Sequence, residues 1–487
     1  MLVAGAGLGA SPASAAGPEV TSDTSAQFYE VTSPSGEQLL VRRRFTTTLG
    51  VAGHDLQGGE VKNPLAPEIL FRARLRYDSD FGASSAEVTA TSFGRLVPGF
   101  QRATVDLMYA YVEGRRFLGG WLGFKLGRQY VVDPLGWWSF DGGQVRVTTP
   151  YFVALEAYGG LEQRGGLPLS SSRFERDGVW RGSRMDYDPS LWTAYQPARL
   201  APAFGVAVES AGLFFLHSRL TYRRVYNTGG SNVTEFASAL YPATPHEEAR
   251  ISSERIGYSI DGTHPGVGGL KAGLVYDLYV ARFSQLYTSA DLFAGKRLTL
   301  SADYDFHRPT FDGDSIWNFF AAGPTSDLGG RMALQLTDRL SLSGGGRARI
   351  FEDLRSEDLV GAPRALPSSS VYLAGGGNLA ARYRHGAGQV ALRGAVDGAS
   401  TGGRAGGDLS AEHTLAGRYV LSGRASLWRW SDALRSGRDA TGFGYVAGLG
   451  YLLSQGSQAV VEFEHDINRL VGNRYRLMVW LTLAVTK

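Results

Sequence analysis

The chain has 487 residues, and its 49 Lys+Arg against 46 Asp+Glu leave a net charge of +3, too small a surplus to favour a nucleic-acid backbone. It has no cysteine, which excludes disulfides, thiolate metal sites and cysteine nucleophiles. The 65 Gly, 24 Phe, 23 Tyr and 9 Trp point to strands, because glycine weakens helix interiors and aromatic side chains favour pleated surfaces.

The mean hydropathy of −0.13 does not separate a soluble protein from a transmembrane barrel, whose apolar outside and polar inside average to the same value. From residue 40 onward the periodicity hardly changes, which favours one large repetitive architecture over several soluble domains. In chain order, residues 1–15 read as the end of a secretion signal: Met1 to Gly9 is apolar and small, and Ala13, Ser14 and Ala15 form an A-x-A cleavage site. No Lys or Arg precedes that run, so the true start is expected upstream. Residues 16–38 are expected to be a flexible lead, and 39–487 a single outer-membrane barrel. No run of about 18 apolar residues follows that could act as a membrane helix.

Alternation of period two then recurs. In Ile69 to Asp78, Ile69, Phe71, Ala73, Leu75 and Tyr77 share one face, while Arg72, Arg74, Arg76 and Asp78 take the other. A dry core does not accept three arginines in a row, whereas a wet lumen does. The same pattern predicts strands with Ala103, Val105, Leu107, Tyr109 and Tyr111 on one face, then with Leu270 to Val280, Leu298 to Phe306, Tyr419 to Leu427 and Ala459 to Phe463. Tyr475 to Val485 closes the series and resembles the C-terminal strand that barrel-assembly machinery recognises, although Thr486 and Lys487 stand where a terminal aromatic is usual. Strands of about 10 to 12 residues match the span of a tilted transmembrane strand. Polar connections are expected at 162–203, 226–250, 308–327 and 352–368. At roughly 26 residues per strand and connection, the all-β, transmembrane antiparallel barrel should hold about 18 strands, within a range of about 16 to 20.

One stretch carries a family resemblance. Gly127, Arg128 and Gln129 at a strand end, followed by Trp137, Trp138, Phe140, Asp141 and Gly142 at the re-entry, resemble the alginate-export and phosphate-selective porin type of Gram-negative outer-membrane channel. The resemblance covers roughly 25 residues and implies an arginine-bearing lumen for anionic solutes or acidic polysaccharide. The composition also resembles that of the integral barrels in myxobacterial polysaccharide export systems, which implies a periplasmic export protein as partner.

Only Lys62, Lys125, Lys271, Lys296 and Lys487 are lysines, so 44 of the 49 basic residues are arginine. Alternation places Arg42, Arg44, Arg72, Arg74, Arg76, Arg146, Arg219, Arg223 and Arg476 off the apolar face, where they join Arg128 and Gln129 as candidate pore-lining residues. They either concentrate anions in a water-filled passage or pair with neighbouring Asp and Glu. Trp137, Trp138, Trp180 and Trp192 border long connections, as interfacial anchors or as platforms that stack on sugar rings.

Catalytic, cofactor and metal signatures are lacking. Gly5 to Gly9 lies in the signal segment, and His246, Glu247 and Glu248 lack a second histidine at metal-binding spacing. The leading expectation is therefore a non-enzymatic channel for polysaccharide export, with a diffusion porin for small anions as the alternative and 162–203 as its constriction loop. A barrel enzyme and a structural or adhesin barrel rank lower. The expected partners are outer-membrane lipid, lipopolysaccharide and the barrel-assembly machinery, with no nucleic acid.

Overall fold

The computed structural model describes residues 18–58, 66–80, 104–163, 201–228, 250–310, 323–353, 370–400, 402–433, 437–454 and 456–486. The signal segment, Trp180, Trp192 and most of the predicted long connections lie outside them. The described residues form 22 strands. The first eleven are β1 (Glu19–Thr32), β2 (Gln38–Gly53), β3 (Glu68–Asp80), β4 (Thr104–Arg116), β5 (Leu122–Asp133), β6 (Gly136–Thr148), β7 (Val153–Glu162), β8 (Pro202–Ser210), β9 (Leu216–Asn227), β10 (Arg250–His264) and β11 (Gly268–Asp277). They are followed by β12 (Arg282–Ala294), β13 (Leu298–His307), β14 (Thr325–Gln335), β15 (Leu340–Asp353), β16 (Ser370–His385), β17 (Gly388–Ala399), β18 (Gly402–Leu415), β19 (Tyr419–Asp432), β20 (Ala440–Ser454), β21 (Ser457–Asn468) and β22 (Gly472–Thr486).

Each strand pairs antiparallel with the next, and β22 returns to β1 in continuous register from Glu19↔Thr486 to Thr32↔Asn473. The sheet is thus a closed barrel without an edge. Two expectations are corrected here. The strand number is 22 rather than about 18, because connections such as 386–387 and 400–401 are only two residues long. Several strands also put Gly and Ala on the outer face (Gly403, Ala405 and Gly407 of β18), which mutes the apolar signal. Residues 19–32, expected within a flexible lead, form β1. Its alternation of Ser, Thr, Asp and Gln carries little amphipathic contrast, and its order comes from pairing with both β2 and β22.

The connections sort by length. Those after odd-numbered strands include 81–103, 163–201, 228–249, 308–324 and 354–369, whereas those after even-numbered strands are short turns apart from 54–67. The barrel therefore has one elaborated end and one plain end, with β1 starting and β22 finishing at the plain one.

The two faces differ chemically. Outward positions carry exposed apolar side chains on nearly every strand, including Val105 at 69%, Leu373 at 65% and Leu379 at 74% exposure. A continuous apolar surface of that extent requires a non-aqueous neighbour. Inward positions carry Arg, Asp, Glu, Ser and Thr. In β4 the face changes partway, because a register shift beside Arg74/Leu75 of β3 leaves Val105 and Leu107 outward but turns Tyr109 and Tyr111 inward. The expectation that all four share a face is corrected by that bulge.

Leu379 lies near the middle of β16 on the apolar face. Leu379→Arg is expected to destabilise the barrel in phospholipid vesicles by about 2–4 kcal/mol, and Asn378→Arg, one position away on the lumen face, by much less. Urea titration of heat-modifiable folded protein on gels measures both, and equal effects would contradict the assignment of faces.

Candidate functional site

The most unusual part of the barrel is the β5–β6 hairpin, which leaves the wall and folds across the lumen. Strand β4 continues to Thr104, but its ladder with β5 stops at Ala110↔Arg128, so beyond that level β5 has separated from it. Gly127, Gly142 and Gly160 form one row across β5, β6 and β7. A Cβ on Gly142 would lie 2.0 Å from the Gly159 carbonyl oxygen and 2.7 Å from Gly160 Cα. Gly127 has φ 125°, and a Cβ there would lie 2.3 Å from the Ala110 carbonyl oxygen. A sheet creases this sharply only where no side chain fills the fold.

The depth of the crease can be read from Trp138 and Tyr158. Tyr158 is paired with Gln144, so in a flat sheet Trp138 would lie six residues farther along, roughly 20 Å away. Their rings are instead 5.5 Å apart, and those of Phe140 and Tyr158 are 5.8 Å apart. The hairpin therefore lies over the inner wall. Gln129, Val131, Trp138 and Phe140 are buried on its lower face against Tyr158, Ala203 and Val225. Gly205 leaves room for the Tyr158 ring, whose nearest atom would be 2.4 Å from a Cβ. Burial of Trp138 and Phe140 stabilises the folded-in position by roughly 1.5–3 kcal/mol each.

The tip reaches farther. Pro134 and Leu135 seat on Gly257 of β10, where a Cβ would lie 2.7 Å from Leu135 Cδ2. Arg223 of β9 donates to the Leu135 carbonyl at 3.4 Å, lies 3.8 Å from Asp133 and stacks 5.1 Å over the Trp138 ring. Trp138 Nε1 donates to Glu162 at 2.8 Å. Beyond the tip, Arg255, Gln285, Tyr287 and His307 line the remaining gap to β10–β13.

The residues that carry the family resemblance build this crease. Arg128 makes a two-pronged contact with Asp141 (2.8 and 2.9 Å), and its third nitrogen donates at 3.0 Å to the Leu107 carbonyl of β4 where β5 peels away. Gln163 donates to Asp141 at 2.6 Å. Gln129 is fully buried and donates to the Gly142 carbonyl at 3.0 Å. Trp138 is thus a core residue of the hairpin and neither an interfacial anchor nor a sugar platform. Trp137 is on the opposite, exposed face, 5.9 Å from Tyr130, which is 5.9 Å from Tyr109. The constriction expected from 162–203 falls almost wholly outside the described residues; the described segment that enters the lumen is the 128–141 hairpin. Its signal was the combination of Gly127, Gly142 and Gly160 with a two-residue turn, Pro134 and Leu135, at the end that carries the long connections.

The candidate arginines occupy inward positions, and most engage carboxylates. Arg219 donates to Glu156 at 2.5 Å and Glu209 at 2.6 Å, and Arg146 donates to Glu209 at 2.8 Å. Arg74 bonds Asp23 and, at 2.8 Å, Thr48. Arg476 bonds Glu464, which also accepts from Arg474 at 2.8 Å. Arg44, Arg72 and Arg76 share the inward rows of β2 and β3, and the side chain of Arg42 falls outside the described residues. Both signs of charge share the lumen wall. Asp277, Asp291, Asp303 and Asp305 face inward on β11–β13 beside Lys271 and Arg282, and Arg331, Arg347, Arg349, Arg382, Arg384, Arg393 and Arg404 face inward on β14–β18 beside Asp327, Asp397, Asp408 and Glu412. Among the described residues no group of three or more His, Asp and Glu could hold a metal ion.

Two substitutions probe this arrangement. Gly142→Val should force the hairpin out of its crease and raise the unit conductance of the folded barrel in planar bilayers; an unchanged conductance would mean that the hairpin does not limit the passage. Arg219→Ala leaves buried Glu156 and its neighbour Glu209 with Arg146 as their remaining cation, 3.7 Å and 2.8 Å away, and should cost about 3 kcal/mol in urea unfolding. Arg219→Ala combined with Glu156→Gln should recover part of that loss.

Neither a protein-family profile nor a curated protein matches the sequence. Among solved structures, OccAB4 of Acinetobacter baumannii is 9% identical with a TM-score of 0.44, covering 96% of this chain and 98% of that one. OccK8 (OprE) of Pseudomonas aeruginosa is 10% identical with a TM-score of 0.43, covering 96% and 98%. The outer membrane protein OpdK of Pseudomonas aeruginosa is 9% identical with a TM-score of 0.41, covering 96% and 99%. With values this low, the barrel architecture rests on the strand pairing itself.

Proposed function

We propose that this protein is a diffusion channel of the Gram-negative outer membrane for small anionic solutes, passive and without chemistry. The observation that carries this reading is the inward-folded 128–141 hairpin, packed on the inner wall through Trp138 and Phe140 and held at its tip by Arg223. A barrel of 22 strands has an interior too wide for wall side chains to fill, so its selectivity depends on what projects inward. A hairpin anchored by a packed core narrows the passage permanently, which suits solutes of metabolite size. Export of a polysaccharide, the leading expectation from sequence, would have to proceed through a lumen that this hairpin crosses, so it becomes the second reading.

The apolar outer belt supports residence in lipid, and an edgeless barrel of amphipathic strands supports the outer membrane, insertion by barrel-assembly machinery and contact with lipopolysaccharide. The preference for anions rests on Arg44, Arg72, Arg74 and Arg76 on one wall and on the β14–β18 arginines on another. Their charge concentrates anions, while water and salt keep each contact weak enough for release.

The test is the reversal potential of refolded protein in planar bilayers under a potassium chloride gradient. The expected result is chloride preference, reduced in an Arg72→Gln/Arg76→Gln double variant. Cation preference, or no conductance from folded protein, would overturn the reading. Passage of a long acidic polysaccharide through the unmodified barrel would favour export instead.

A further inference from the structure

The lumen wall formed by β15–β18 holds a second charged constellation, separate from the hairpin and close to the elaborated end of the barrel. Arg347 and Arg349 of β15, Asp397 of β17 and Arg404 of β18 surround a hollow of about 360 Å³. Its floor is Ala374, Gly375, Gly398, Gly402 and Gly403, so no large side chain stands between the three guanidinium groups.

The charges there are incompletely matched. Arg349 is satisfied by a two-pronged contact with Asp327, both distances 2.6 Å. Arg347 and Arg404 instead share one carboxylate, each through a single long contact with Asp397, at 3.2 and 3.5 Å. Two guanidinium groups have ten N–H donors between them. Their side chains are 50% and 54% exposed to the passage. The hollow therefore holds three cations against two carboxylates, with unused planar donors facing water. Arg404 is also held in place, since its guanidinium carbon lies 4.5 Å over the Trp428 ring. That ring lies against Gly406, where a Cβ would be 2.8 Å from Trp428 Cδ2, and its Nε1 donates to Asp408 at 3.4 Å.

We propose that this hollow is a binding site for a small hydroxylated monocarboxylate of the sugar-acid class. The ligand carboxylate takes the free donor edges of Arg347 and Arg404, matching fork to carboxylate and cancelling the single surplus charge. Asp397, between the same two arginines, accepts from a ligand hydroxyl next to that carboxylate. Trp428 is a positioning residue that fixes the plane of Arg404. The site rests on the proposed reading of the lumen as a water-filled path for anions, and gives that path a preferred solute.

The test is isothermal calorimetry of the detergent-folded protein with galacturonate, galactose and acetate at fixed ionic strength, alongside the bilayer measurements. Galacturonate should bind at least tenfold more tightly than acetate, with no heat from galactose. Arg347→Gln and Arg404→Gln should each weaken galacturonate at least tenfold, while Arg74→Gln on the β3 wall should change it less than twofold. Asp397→Asn should preserve acetate binding and remove the preference for galacturonate. Trp428→Ala should weaken binding severalfold, with Trp428→Phe recovering most of it. Equal binding of acetate and galacturonate, or no effect of Arg404→Gln, would overturn the proposal even if the barrel conducts anions. A barrel that binds galacturonate but does not conduct would instead overturn the channel reading and leave the site standing.

Discussion

In hydrocarbon no water is present to satisfy a backbone amide, so every strand must find partners on both sides, and this requirement governs the rest of the structure. It explains why β1, poor in large apolar residues, is ordered at all: without it β2 and β22 would each expose a row of unpaired groups. It also explains why strands as glycine-rich as β16 and β18 belong to the same ring as the strongly amphipathic β3. Closure is set by hydrogen bonds, and the apolar pattern only decides which side faces lipid.

The crease at Gly127, Gly142 and Gly160 is a local exception to that rule. Where β5 leaves β4, the Leu107 carbonyl loses its strand partner and Arg128 replaces it. Asp141 balances the arginine, and Gln129 satisfies a backbone carbonyl within the fold. The hairpin can therefore leave the wall without leaving polar groups stranded, and its Trp138 and Phe140 face gains a packed seat on the lumen side of β7–β9. The charged motif is thus structural support for the inward-folded hairpin.

Arginine dominates the inner wall because its planar fork binds a carboxylate and still presents donors elsewhere. In Arg219, Arg146 and Arg476 that capacity is spent on wall carboxylates, which stiffens the barrel. In Arg347 and Arg404 much of it is left over. The same residue type thus serves as a brace on one side of the lumen and keeps open donors on the other, and the number of neighbouring Asp and Glu separates the two situations.

Much of the architecture was legible in the sequence. The alternation of Ile69 to Asp78 implies one apolar and one charged face whatever the partners, because strand side chains alternate with a period of exactly two residues. From repeated alternation, a barrel with arginines inside follows by elementary geometry. What the sequence could not contain was information carried by pairing across strands. The count of 22 depends on turns too short to register in an average spacing, and β1 depends on neighbours at opposite ends of the chain. The side of Tyr109 depends on a bulge, and the role of Gly142 depends on meeting Gly160 across the sheet. Arg128 and Arg404 are indistinguishable as letters in a row of amphipathic strands; only the tertiary structure, by setting one against Asp141 and the Leu107 carbonyl and the other against an Asp397 that it shares with Arg347, makes one a brace and the other an open donor.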